Sequence, residues 1–182
     1  MKFTPTAIPE VILIEPQVFG DERGFFMETW HAAKFAAAGL DLAFVQDNHS
    51  RSGRGTLRGL HYQIKQPQGK LARVIAGEVF DVAVDLRRHS PTFGRWVGVI
   101  LSATNKKMLW VPPGFAHGFY VLSPEADFLY KCTQFYAPED ERVLRWDDPE
   151  LAIAWPLPPD LPPLLSAKDQ AGVGWREAEC YP

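Results

Sequence analysis

At 182 residues the chain is long enough for one domain with a substantial core, and 46% hydrophobic with 13% aromatic residues excludes an intrinsically disordered protein. A net charge of -3 with no basic run argues against nucleic acid or an anionic membrane as the main partner, so an anionic ligand must be met by a few placed cations. Two cysteines exclude a disulfide framework, no apolar run approaches the roughly 18 to 20 residues of a membrane span, and the opening Met1 to Thr6 lacks a signal-peptide core, which reads as a cytoplasmic protein.

Val11 to Pro16 is a β-branched run closed by proline, an early strand. Phe19-Gly20-Asp21-Glu22-Arg23-Gly24 is an acidic turn, and the alternating segment behind it places Phe26 and Glu28 on one strand face. By residue type alone Arg23 is a turn cation in water. His31 to Gly39 holds five alanines and a lysine stopped by glycine, the one helix of note. Phe44 to Ser50 returns to strand with Gln46 and Asn48 on one face, which suits either a polar interior or an exposed edge.

Leu57-Arg58-Gly59-Leu60-His61-Tyr62-Gln63 sets an arginine and a histidine in an apolar run with a glycine that can bulge the backbone between them. Lys70 to Ala76 and Glu78 to Leu86 are two strands of a meander joined at Gly77, with no room for helical crossovers. Further strands are expected at 96–102, 107–111, 118–122, 128–136 and 142–146. Turn signals every 8 to 12 residues or so mark an antiparallel sandwich or barrel. The proline-rich 155–163 cannot be a central strand or a helix, so it should cross the surface and deliver Leu164 to Asp169 to a fixed place. No repeat or linker composition divides the chain, so 1–182 reads as a single domain.

Two histidine motifs lie far apart: Gly59-Leu60-His61-Tyr62-Gln63 and Pro112-Pro113-Gly114-Phe115-Ala116-His117. Together they resemble the paired motifs of cupins, which meet inside a jelly roll to hold a metal. Here Gln63 stands where the metal pattern wants a second histidine, and two histidines alone are a poor transition-metal site. The expectation is a mostly β, antiparallel, cupin-like jelly-roll barrel with a few short helices and no metal. On the strands around it, Tyr130 and Tyr136 alternate onto one face, Lys70 begins another strand, and Asp81 and Asp85 share a third face. Acids, a lysine, two tyrosines and two histidines converging on one cavity are costly to bury without a partner, a cost usually tolerated for function.

The ordered set Phe19–Phe26, Phe44–Ser50, Leu57–His61, Gln68–Leu71, Gly77–Asp85, Ser90–Gly94, Gly114–Phe119, Phe128–Lys131 and Leu165–Asp169 resembles the dTDP-4-dehydrorhamnose 3,5-epimerases over nearly the whole chain. The resemblance implies a substrate that is a dTDP-linked 4-keto-6-deoxyhexose, inverted at C3 and C5 with no cofactor. It implies His61 as base, Asp169 as the carboxylate that orients it, Lys70 beside the developing oxyanion and Tyr130 as acid. Arg23 and Arg58 suit the diphosphate, Tyr136 suits stacking on thymine, and Phe19, Phe26, Glu28, Gln46, Asn48, Glu141 and Lys168 are further substrate contacts. His117 matches a position beside the sugar, tied to Asp81. The resemblance also implies a homodimer in which the amino-terminal strands add to the partner's sheet. Arg58 and His61 differ by an odd number of positions, so a regular strand would send them to opposite faces, and a bulge at Gly59 is needed to reconcile them. Rival readings are inversion of one carbon only, a non-catalytic sugar-binding jelly roll, and a metal cupin dioxygenase.

Overall fold

A computed structural model describes all residues, 1–182. Thirteen strands run in chain order: β1 (Lys2–Pro5), β2 (Ile12–Glu15), β3 (Val18–Asp21), β4 (Gly24–Met27), β5 (Gln46–Gly53), β6 (Leu57–Gln63), β7 (Lys70–Ala76), β8 (Glu78–Asp85), β9 (Trp96–Ser102), β10 (Met108–Val111), β11 (Phe115–Val121), β12 (Glu125–Cys132) and β13 (Glu141–Val143). Two short α-helices accompany them, α1 (Ala32–Ala37) and α2 (Ala167–Gln170). The fold is mostly β and antiparallel, a cupin-like jelly roll of two main sheets. One has the order β1-β2-β10-β7-β12-β5, the other β13-β6-β11-β8-β9.

The apolar interior lies between these sheets. Ala72, Val74, Leu109, Val111 and Phe128 from the first meet Val79, Ala83, Phe115, Phe119 and Val121 from the second. The five-stranded sheet is covered on its outer face as well, where Leu60, Val82, Val84 and Ala116 pack under the carboxy-terminal residues Trp155, Trp175 and Tyr181. Burial on both faces is why β11 shows no polar alternation at all. On the outer face of the six-stranded sheet, Phe35 of α1 packs with Leu71 and Trp110, and the ring of Phe3 meets it edge-on at 5.1 Å.

Two expectations need correction. The runs joined at Gly77 are not neighbours in a meander, because β7 and β8 lie in opposite sheets. Gly77 has φ +74°, and a Cβ there would sit 2.0 Å from the Glu125 carbonyl, so the chain turns its corner where no side chain fits. The strand expected over 128–136 runs from Glu125 and ends at Cys132, which leaves Tyr136 on the following loop. Within the chain, β1 and β2 extend the six-stranded sheet, and the hairpin β3–β4 stands apart, paired with nothing but itself.

The expected bulge is present. His117 pairs with His61 and Phe119 with Arg58, so three steps along β6 face two along β11. Gly59 has φ +119°, and an added Cβ would meet Gly118 Cα at 2.6 Å and the His117 carbonyl oxygen at 2.8 Å. The contact is backbone on backbone and cannot be relieved by a rotamer. Gly59→Ala should therefore destabilise the protein by roughly 2 to 4 kcal/mol, combining overpacking with positive-φ strain. Denaturant unfolding measures this, and a parental midpoint would show that the approach is not constraining.

Candidate active site

Between the sheets lies a cavity of about 310 Å³, lined from the five-stranded side by Arg58, His61 and His117 and from the six-stranded side by Gln46, Asn48, Lys70 and Tyr130. Tyr136, Glu141 and Lys168 close its mouth. The expected residues on these elements thus come together, and Gln46 and Asn48 face inward although β5 is also the edge strand.

His61 Nε2 donates to Asp169 Oδ1 at 2.6 Å. An ionised carboxylate can only accept, so the proton sits on Nε2 and Nδ1 is the basic atom. Asp169 is itself fixed from three sides. Gly59 N–H donates to Oδ1 at 3.2 Å, Ser166 Oγ donates to Oδ2 at 2.7 Å, and the Asp169 N–H donates back to Ser166 Oγ at 3.2 Å. Burial pushes this carboxyl up, but the bonds from His61, Ser166 and Gly59 outweigh it and bring it down to about 2. The proline-rich segment delivers it as expected: Leu57 N–H bonds to the Leu164 carbonyl, and Leu164 N–H to that of Gly55.

Across the cavity, Lys70 is buried with its ammonium 5.9 Å from the centre of the Tyr130 ring. Burial lowers its pKa, against the pull of Cys132, Glu141 and Asp81. Tyr130 is pushed up to about 12, first by burial and then by Cys132, so its phenol stays protonated at ordinary pH. Deeper in, His117 Nε2 donates to the fully buried Asp81 Oδ1 at 2.8 Å, and Asp81 Oδ2 has no partner. Asp85, expected on the same cavity, is elsewhere: it accepts from Arg87, Ser90 and Thr92 and does not line the space. No group of three His, Cys, Asp or Glu side chains is disposed to hold a metal ion.

At the mouth, Tyr136 donates its hydroxyl to Glu141 Oε2 at 2.9 Å, and Lys168 Nζ donates to both Glu141 oxygens at 2.9 Å. Burial raises the Glu141 carboxyl, but the bonds from Lys168 and Tyr136 bring it below its ordinary range. Arg58 uses only Nε within the protein, donating to Ser52 Oγ at 3.0 Å, which orients the guanidinium and leaves its terminal nitrogens for a ligand.

Four expected contacts are not brought to this cavity. Phe19, Arg23 and Phe26 line a separate surface hollow on the β3–β4 hairpin, where Arg23 bonds to Asp21. Glu28 lies just beyond that hairpin, paired with Lys34 of α1. The alternation that put Phe26 and Glu28 on one strand fails because β4 ends at Met27. Conversely, Ser166 and Ser52 escaped sequence reasoning. Ser166 carried a usable signal, since Ser166-Ala167-Lys168-Asp169 has the spacing of a helix cap; Ser52 carried none.

A jelly roll whose cavity sets a carboxylate-bound histidine on one sheet against a protonated tyrosine and a buried lysine on the other belongs to the class of acid–base proton-transfer sites. Comparison with known proteins narrows the class. The family model for dTDP-4-dehydrorhamnose 3,5-epimerase matches residues 5–177. A dTDP-4-dehydrorhamnose 3,5-epimerase of Pseudomonas aeruginosa is 63% identical over 100% of both chains. Among solved structures, the dTDP-6-deoxy-D-glucose-3,5-epimerase of Legionella pneumophila in complex with dTDP-4-keto-L-rhamnose is 55% identical with a TM-score of 0.94, covering 98% of this chain and 94% of its own. ChmJ, a 3'-monoepimerase from Streptomyces bikiniensis in complex with dTDP-quinovose, is 36% identical with a TM-score of 0.87, covering 93% and 86%. The chain belongs to the dTDP-4-dehydrorhamnose 3,5-epimerase family.

The depressed Asp169 carboxyl makes a stability prediction. A carboxyl lowered from 3.8 to about 2 on folding contributes stability that is complete above the unfolded value and is lost as pH falls through the folded one. The stability gap between the parent and Asp169→Asn should therefore be widest above about pH 5 and shrink toward pH 2. Denaturant midpoints across that range test it, and a constant gap would contradict an ionised, bonded Asp169.

Proposed function

We propose that the chain inverts C3 and C5 of dTDP-4-dehydro-6-deoxy-D-glucose, giving dTDP-4-dehydro-L-rhamnose, with His61 as base and Tyr130 as acid. The observation that carries this is the placement of the two groups on opposite sheets of one cavity, His61 oriented by its bond to Asp169 and the Tyr130 phenol kept protonated by burial. Both carbons flank the C4 ketone. His61 Nδ1 removes the proton from one of them, and the C–H electrons delocalise into the carbonyl to give an enolate. The buried Lys70 ammonium stabilises the oxygen anion, in a place where little water competes with it. Tyr130 then delivers its phenolic proton to the opposite face, which inverts the carbon. His61 loses its proton to solvent, the tyrosinate regains one, and the second carbon follows. The balance is closed by proton transfer, and each of the two groups is worth about 10²- to 10⁴-fold in rate.

The binding roles follow the cavity: Arg58 for the diphosphate, Tyr136 for the thymine ring, and Gln46, Asn48, Glu141, Lys168 and His117 for the remaining polar groups. The two cysteines are unpaired, which suits a reducing, cytoplasmic setting, and no helix is long and apolar enough to cross a membrane. The hairpin β3–β4 exposes Phe25 by 61% and Phe26 by 67%. An unpaired aromatic arm of this kind suits a homodimer, in which it carries Phe19, Arg23, Phe26 and Glu28 toward the partner's cavity. A monomer in sedimentation velocity would contradict that assembly.

A second reading, inversion at one carbon only, has in its favour the shared fold of the 3'-monoepimerase. The same base and acid serve both reactions, and the difference lies in which carbons the bound ring presents. Turnover in deuterium oxide with mass spectrometry of the sugar separates them. Two exchanged carbon positions are expected; one supports the single inversion, and none supports a non-catalytic sugar-binding protein.

A further inference from the structure

We infer that Gln63 is a positioning residue that holds the Tyr136 ring as a fixed platform for the nucleotide base; this rests on the reading of Tyr136 as the base contact. Gln63 ends β6 with 3% of its surface exposed. Its Oε1 accepts from Ala137 N–H at 2.9 Å, and its Nε2 donates to the carbonyls of Phe135 at 3.1 Å and Gln66 at 2.7 Å. One side chain thus grips the residues on both sides of Tyr136. Gln46 Oε1 takes the Tyr136 N–H at 2.9 Å, so three consecutive residues of the loop are pinned by two glutamines. Glu141 holds the phenol end. From behind, Tyr181 donates its hydroxyl to the Gln63 carbonyl at 2.7 Å.

The arrangement is out of proportion to a surface tyrosine. Tyr136 is about half exposed on a loop outside any strand, yet its backbone is fixed by a buried amide whose donor and acceptor are both engaged. Only an amide offers a donor pair and an acceptor on one side-chain end; a glutamate would face two carbonyls with no hydrogen to give. Gln63 also lies two residues from His61 on the same inward face, so one pleat sets the distance between the basic nitrogen and the platform. The consequence is pre-organisation: the ring waits in its binding position, and its ordering is not charged against affinity.

A double-mutant cycle with Gln63→Met and Tyr136→Ala tests the inference, read by calorimetric affinity for dTDP and by steady-state kinetics on the nucleotide sugar. Gln63→Met should weaken dTDP about tenfold, the size expected when an ordered side chain and its loop are set free, and raise KM in parallel while kcat stays within about twofold. In the Tyr136→Ala background the same change should weaken dTDP no further. Unchanged affinity in folded Gln63→Met overturns the inference, as does an equal loss in both backgrounds, or a fall in kcat at constant KM, which would place Gln63 behind His61. If Tyr136→Ala alone leaves dTDP affinity intact, the platform reading itself fails, whatever Gln63 does. Should Gln63→Met not fold, Gln63→Glu keeps the acceptor for Ala137 and loses both donors, with the same cycle and the same criteria.

Discussion

The backbone contact between Gly59 and Gly118 decides what this cavity can do. It lets three steps along β6 face two along β11, and that resets the side-chain parity of the strand. Arg58 before the bulge and His61 after it therefore both look into the cavity, which a regular strand forbids. The same bulge frees the Gly59 N–H from the ladder and aims it at Asp169, the carboxylate that orients His61. A single irregularity thus brings a guanidinium, an imidazole and part of that imidazole's support to one cavity.

Around it, the electrostatics divide the interior into two working walls. On one, a carboxylate held low by three donors keeps a proton on Nε2 of His61 and leaves the other nitrogen basic. On the other, burial holds Tyr130 protonated and places the Lys70 cation with no carboxylate in direct contact. Neither wall is comfortable without a ligand: an ammonium in a poorly solvated place and an unpartnered Asp81 oxygen are arrangements that a purely structural core avoids.

Much of this was legible in the chain. Turn spacing and β-branched runs marked most strands, and His61, Lys70, Tyr130 and Asp169 stood out once their motifs were set in order. What stayed hidden was set by long-range packing. Gly77 reads as a hairpin corner whether it joins neighbours or, as here, opposite sheets. Asp81 and Asp85 share strand parity, yet Arg87, Ser90 and Thr92 engage one while His117 takes the other. Tyr136 reaches the cavity from a loop rather than by strand alternation, through glutamine bonds that no local pattern announces. Phe19, Arg23 and Phe26 of the hairpin carry a family motif, with Glu28 just beyond it, but a single chain does not bring them to the site.

In the proposed reaction one group removes the carbon-bound proton and another, on the opposite wall, replaces it. Solvent-deuterium exchange into the substrate by Tyr130→Phe and His61→Ala tests it most directly. Tyr130→Phe, with its base intact, should wash deuterium into the sugar while forming little inverted product, and His61→Ala should do neither. Exchange that persists without His61 would contradict the account.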